Sequence, residues 1–438
     1  MDGLVKLSQA HFDNAYGFRV SQAPIEHATL EISISATEPN GTAHQTTVLA
    51  SMVSENNLSS WAKAGVESGS PSCEAHLKLI RIDQIHGEIP NISKAAFRSL
   101  TSAMGVHPAA LYMVCGKYDG FHTYKGPGLS HTWFFGSSTH ALLWCFSPSK
   151  RQTVGMFFER RRANFQDFCR VLSAFSDHIH APQVLFLSSA IHQQHNFDVE
   201  TASELGVIHR IEQQTGFGPS AVKTYALIKS EPTVKMVRAE IDELTVWSQA
   251  VGEISVNFSN RGRNHHTFWK MLATLRQAEE DSDTLGIPQG PAMERYKASL
   301  RELCNALPTI ERQMETYDEY ILYLKARTER LSSVLFTLLT HVDARAGISL
   351  ASAAKRDSSS MKTVAIMTMA FLPATFFAAL FAMPLLEWDG SHMVQKGFWV
   401  YWACTIPVTL LVFGLWLGII ERKWIVGGKG SPKGSKHE

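Results

Sequence analysis

Residues 364–386 read VAIMTMAFLPATFFAALFAMPLL, 23 positions without a charge, and residues 398–420 read FWVYWACTIPVTLLVFGLWLGII, 23 more. At 1.5 Å of rise per residue each stretch makes a helix of about 34 Å, long enough for a hydrocarbon core of roughly 30 Å. Two such runs in succession predict two membrane spans rather than two buried helices of a soluble core. Phe398, Trp399, Tyr401 and Trp402 place aromatic rings at one end of the second run, where a membrane–water interface favours them. Only Glu387 to Gly397 separates the runs, so the spans form an antiparallel hairpin.

Flanking charge sets the orientation. Lys355, Arg356 and Lys362 precede the first span; Arg422, Lys423, Lys429, Lys433 and Lys436 follow the second, while the connection carries Glu387 and Asp389 against Lys396. The positive-inside rule then puts both termini in the cytosol, with the plasma membrane as the default membrane. The remaining composition fits a folded cytosolic mass. Of 438 residues, 45% are hydrophobic and 18% charged, which excludes a disordered chain. Lys+Arg less Asp+Glu is 41 − 40 = +1, which gives no reason to expect a nucleic-acid partner. The six cysteines form no CxxC pair, as in a reducing compartment, and Met1 to Lys6 lacks the apolar run of a signal peptide.

Upstream, Thr29-Leu-Glu-Ile-Ser-Ile-Ser and Leu77-Lys-Leu-Ile-Arg-Ile alternate like strands, and runs at 110–116, 131–136, 140–146 and 153–158 continue that signal. The stretch 38–74 is rich in Ser, Asn, Gly and Thr and reads as a long loop. Helical patterns follow near 163–175, 198–214 and 233–279. A sheet followed by helices is an α/β domain, with α+β as the variant. After the break at Asp283 to Pro291 comes the longest pattern. Ile310, Met314, Tyr317, Ile321, Leu324, Thr328, Leu331, Leu335, Leu338 and Val342 recur in alternating steps of four and three. That stripe predicts a stalk helix running into the first span; an ordinary long core helix is the alternative. The expected divisions are a cytosolic α/β domain 1–285, a stalk 292–362, a first span 363–386, an outer loop 387–397, a second span 398–420 and a basic tail 421–438.

This layout resembles the CorA-like metal ion transporter superfamily. The local match is Lys355-Arg-Asp-Ser-Ser-Ser-Met-Lys-Thr-Val-Ala-Ile-Met-Thr-Met-Ala-Phe-Leu-Pro-Ala-Thr-Phe-Phe-Ala-Ala-Leu-Phe-Ala-Met383, similar to the stalk end and first span of the fungal CorA-like branch, with Phe398-Trp-Val-Tyr-Trp-Ala similar to the start of its second span. The resemblance implies a homopentamer in a lipid bilayer, with five first spans lining a pore for Mg²⁺ or another divalent cation and no further cofactor. It is not an enzyme on this reading, and none of the Gly-x-Ser-x-Gly, His-Glu-x-x-His or phosphate-loop motifs occurs in an enzymatic context. The family signature Gly-Met-Asn falls on Ala382, Met383 and Pro384, so the Met is kept while the Gly and Asn are replaced. Proline at 384 leaves only a backbone carbonyl to face an ion.

On a helix, Met361, Val364, Thr368, Leu372, Thr375 and Ala379 share one face, extended by Ala382. Thr375 matches a pore position of the family. Hydroxyls suit a cation that keeps its water shell, although Thr in a membrane helix also bonds back to its own backbone. Met361, Val364 and Leu372 are candidate apolar constrictions. Glu387 and Asp389, five times over, put ten carboxylates round the outer mouth. Weaker candidates are the acidic run Glu279, Glu280, Asp281 and Asp283, the pair His192 and His195, and Arg160-Arg161-Arg162 as a lipid-facing patch. The competing function is a non-conducting, membrane-anchored homologue whose cytosolic domain senses an ion or binds a partner.

Overall fold

The computed structural model describes residues 2–15, 17–20, 23–36, 44–64, 73–85, 89–125, 130–160, 164–217, 234–280, 285–382 and 398–427. These divide into one unit of 1–231 with 242–337 and a second of 232–241 with 338–438.

In the first unit, α1 (Asp2–Asn14) precedes β1 (Glu26–Ala36) and β2 (His44–Ser54). Then come α2 (Leu58–Lys63), β3 (Cys73–Ile82), the short pair β4 (Gln84–Ile85) and β5 (Ile89–Pro90), α3 (Lys94–Met104) and α4 (Ala110–Cys115). A meander of β6 (Gly120–Tyr124), β7 (His131–Gly136), β8 (His140–Ser147) and β9 (Gln152–Glu159) leads to α5 (Phe165–Ala174), α6 (Val184–Thr215) and α7 (Val234–Glu280). Among the described residues, seven strands form one sheet in the order β2-β1-β3-β9-β8-β7-β6, in which the β3–β9 pairing is parallel and the others antiparallel. The fold class is α/β with a mixed sheet.

Strand alternation sorts the core into two layers. Phe134, Leu143, Cys145, Met156 and Phe158 pack with Phe12, Trp61, Phe97 and Leu100 of the early helices. The intervening residues face the later helices: Trp144 meets Phe186 at 5.4 Å, Phe157 meets Phe168 at 4.9 Å and Phe135 meets Phe268 at 5.1 Å between ring centroids. A sheet covered on both faces explains why β8 and β9 are buried at almost every position.

Two segments differ from their sequence patterns. Within 38–74 the chain forms β2 and α2 rather than a loop; β2 is an edge strand, mostly exposed along its length, so no buried face imposed an apolar alternation. The run 110–116 is the helix α4 instead of a strand, because six residues are too few for periodicity to separate the two. α6 also begins well before its visible pattern, since Val184 to Ala190 are buried all round.

The final helix pair is α8 (Pro291–Phe381) and α9 (Phe398–Gly427). Pro291 opens α8 at the position where its missing N–H costs nothing. Within the first unit the predicted stripe is the buried seam of α8: Leu324, Thr328 and Leu335 are fully buried and Ile310 to Leu331 nearly so. α6 and α7 of the same chain cover it. Tyr317 hydrogen-bonds Thr201 at 2.8 Å, Arg327 Nε donates to Glu212 at 2.8 Å and Arg276 donates to Glu311 at 2.7 Å. As the stripe predicts, α8 is one continuous long helix from Pro291 to Phe381, and this part of it is packed against α6 and α7.

Buried His140 and His192, with half-buried His180, predict an acid sensitivity. Burial holds His192 and His180 down to about 4, and holds His140 well below its ordinary value. Each is neutral when folded and takes a proton when unfolded below pH 6.5. Their stabilisation is complete above pH 6.5 and is lost as pH falls towards 4. Thermal unfolding midpoints of the first unit therefore decline from pH 7 to pH 5; a flat profile across that range contradicts the assignment.

Candidate functional site

The second unit holds the hairpin. Its two most apolar windows have mean hydropathies of 1.9 and 1.8, and only 6% of each is buried. A core helix of a soluble protein would be mostly covered, whereas here the apolar surface is left exposed within the chain. The chain thus carries two helices long and apolar enough to cross a membrane.

The two helices meet along complementary stripes. On α8, Pro373 is buried and Ala365, Met369, Ala370, Ala374 and Phe377 are half-buried. On α9, Thr405 is buried and Tyr401, Cys404, Thr409, Val412 and Trp416 are half-buried. Tyr401 donates to the Ala374 carbonyl at 3.2 Å, a hydrogen bond between the two helices. Sequence reading placed Tyr401 in an aromatic belt with Trp399 and Trp402; those two are exposed, and Tyr401 turns inward.

The predicted pore face lies on the other side of α8. Met361, Val364, Thr368, Leu372, Thr375, Ala379 and Ala382 are all exposed, in steps of three and four. Between 364 and 382 the sequence has no titratable side chain, so hydroxyl and carbonyl dipoles are the polar features of this face. Thr368 donates to the Ala365 carbonyl at 2.9 Å; Thr375 donates to Phe371 and Leu372, both at 3.0 Å. The hydroxyl hydrogens are spent on the backbone. Each oxygen keeps two lone pairs able to accept a hydrogen bond. A hydrated cation turns its water hydrogens outward, so an acceptor wall is what its shell meets. Back-bonding and contact with a hydrated ion are compatible here.

Met383, Pro384, Glu387 and Asp389 lie outside the described residues, as do Asp281, Asp283, Arg161 and Arg162. Among the weaker candidates, His192 is buried against His140 and Phe168 while His195 is exposed, so the pair does not converge on one ion. Arg160 is no surface patch: it pairs with Asp119 at 2.8 Å and donates to the Ser137 carbonyl at 2.6 Å. Among the described residues no group of three or more His, Cys, Asp or Glu is placed to hold a metal.

No family model matches the chain. One curated relative, "Notoamide biosynthesis cluster protein M'" from Aspergillus versicolor, is 40% identical over 62 residues, which is 13% of this chain and 14% of that protein's length. Among solved structures, the full-length CmaX protein is similar over 89% of this chain and 97% of its own, with 10% identity and a TM-score of 0.37. The CorA magnesium transporter from Methanocaldococcus jannaschii is similar over 88% and 96%, with 9% identity and a TM-score of 0.26.

Proposed function

We infer that this chain is a subunit of a membrane channel that passes divalent metal cations, Mg²⁺ first among them, through a homopentameric pore lined by the second half of α8. The observation that carries the reading is the exposed face from Met361 to Ala382, in which two threonines present acceptors on an otherwise apolar, uncharged helix. The resemblance of Lys355 to Met383 to the CorA-like first span supports the same assignment. Mg²⁺ sheds its water reluctantly and needs acceptors for its shell rather than direct ligands. Met361, Val364 and Leu372 narrow the path by dewetting. At the outer end Ala382, Met383 and Pro384 form the filter, where proline carbonyls stand in for an asparagine amide, and Glu387 and Asp389 concentrate cations at the mouth. Both termini then face the cytosol across the plasma membrane.

The replaced Gly and Asn favour a second reading, a non-conducting anchored homologue. Rebuilding the signature with Ala382→Gly and Pro384→Asn separates the two. A conducting parent keeps its flux and changes its preference among Mg²⁺, Co²⁺ and Ni²⁺. Flux that arises only in the rebuilt protein contradicts the channel assignment.

A further inference from the structure

A cavity of about 310 Å³ opens in the first unit, where the β6–β7 edge of the sheet meets the end of α7 and the start of α8. Its walls are largely aromatic. Trp133 and Phe186 are 6% and 1% exposed, and they meet edge to face at 6.1 Å between ring centroids. Trp133 is also stacked on His131 and on Trp144, both at 5.9 Å, so these walls are set before any ligand arrives. Aromatic walls with a few polar groups, at this volume, suit a small organic ligand.

Two buried polar side chains line the same cavity. Gln183, 3% exposed just before α6, donates from Nε2 to the Tyr296 hydroxyl of α8 at 2.9 Å. Gln183 Oε1 has no hydrogen-bond partner among the described residues. Burial pushes the Tyr296 phenol up, so it stays protonated, and having accepted from the amide it keeps its own hydrogen to donate. The pair offers one acceptor beside one donor. Turning the amide over exchanges the roles and leaves the same offer, with Gln183 donating and the hydroxyl accepting. A buried acceptor left empty is costly, and a ligand N–H removes that cost. Charge narrows the choice further. Among the described residues no carboxylate lines the cavity, whereas the exposed Lys125 does.

We propose that this cavity binds the base of a nucleotide. A nucleobase brings a flat aromatic ring to the aromatic walls and a donor beside an acceptor on one edge to Gln183 and Tyr296. Its phosphate answers the charge of Lys125. Enzymes that take a base out of a duplex read it in the same way, by hydrogen bonds to its edge between aromatic or apolar side chains. A nucleotide held here touches β6, β7, α7 and α8, and so braces the first turns of the helix that carries the proposed pore face. The site does not rest on the chain passing any ion.

Equilibrium dialysis of the full chain in detergent tests the site without any measurement of flux. The probes are adenosine, guanosine, cytidine and uridine, each alongside its 5′-monophosphate. The expected result is saturable binding of at least one monophosphate, tighter than that of its nucleoside and weakened by salt. Gln183→Leu removes one half of the donor–acceptor edge and weakens that binding roughly tenfold. Ala278→Trp tests the place independently if the change at 183 does not fold. Ala278 is half-buried on α7 and lines the cavity, so the introduced indole fills the space and abolishes binding. No saturable binding of any probe overturns the proposal. Binding that survives Ala278→Trp overturns it as well, because the nucleotide then sits elsewhere. Binding lost in Ala278→Trp but unchanged in Gln183→Leu marks a plain apolar cavity and equally contradicts it.

Discussion

Replacing Thr375 by tryptophan abolishes divalent-cation flux through the reconstituted protein. Thr375 sits two turns above Thr368 on the exposed face of α8, in a stretch with no charge to hold an ion by other means. In a pentamer one substitution puts five indoles into the same cross-section of the pore, which leaves no room for a hydrated cation. Thr375→Val is the measured companion. It keeps the shape and removes the hydroxyl lone pairs, so the ion's shell loses about one hydrogen bond per hydroxyl and flux falls roughly tenfold. Assembly is unaffected in the valine variant, since among the described residues this hydroxyl bonds to the backbone of its own helix. Undiminished flux in Thr375→Trp contradicts a pore lined by this face.

The largest expected effect on stability comes from the first unit. Arg261 of α7 is 3% exposed and donates to Glu204 at 2.6 Å, Glu200 at 3.1 Å and Thr201 at 3.0 Å, all on α6. Its guanidinium also stacks over Phe258 at 5.5 Å. Arg261→Ala leaves two carboxylates facing a cavity without their counter-charge. Breaking such a pair costs about 3–5 kcal/mol, and partial exposure of both glutamates places this case near the lower figure. Lysine does not restore the site, because a single ammonium cannot reach three acceptors in a fork. Thermal or denaturant unfolding of the purified variant measures the loss. A change below about 1 kcal/mol means that the α6–α7 interface is held by its apolar contacts alone.

What the sequence revealed followed from how each element meets its surroundings. The spans were legible because composition alone marks a helix that stays apolar all round, and the seam of α8 because a half-buried helix repeats every three or four residues. The strands of the meander were legible through their aromatic and β-branched runs. β2 was not, since both of its faces meet solvent and nothing demanded alternation. The start of α6 was hidden for the opposite reason: Val184 to Ala190 are buried on every side, so no polar face interrupts them.

The candidate site divides in the same way. Its face could be read from spacing, because Thr368 and Thr375 are local to one helix. The direction of their hydroxyls could not, since donation to a carbonyl three or four residues back depends on the rotamer. The hydrogen bonds that join Gln194, His265 and Asp318 left no motif, because these residues stand on three helices that only the folded chain brings together.

The most direct test of the central claim is divalent-cation flux into proteoliposomes containing the purified protein, with Mg²⁺, Zn²⁺, Co²⁺ and Ni²⁺ compared against empty vesicles. The account predicts flux above the empty-vesicle level with a clear preference among the four ions. Absence of flux for all four, from protein shown to be folded and inserted, contradicts it.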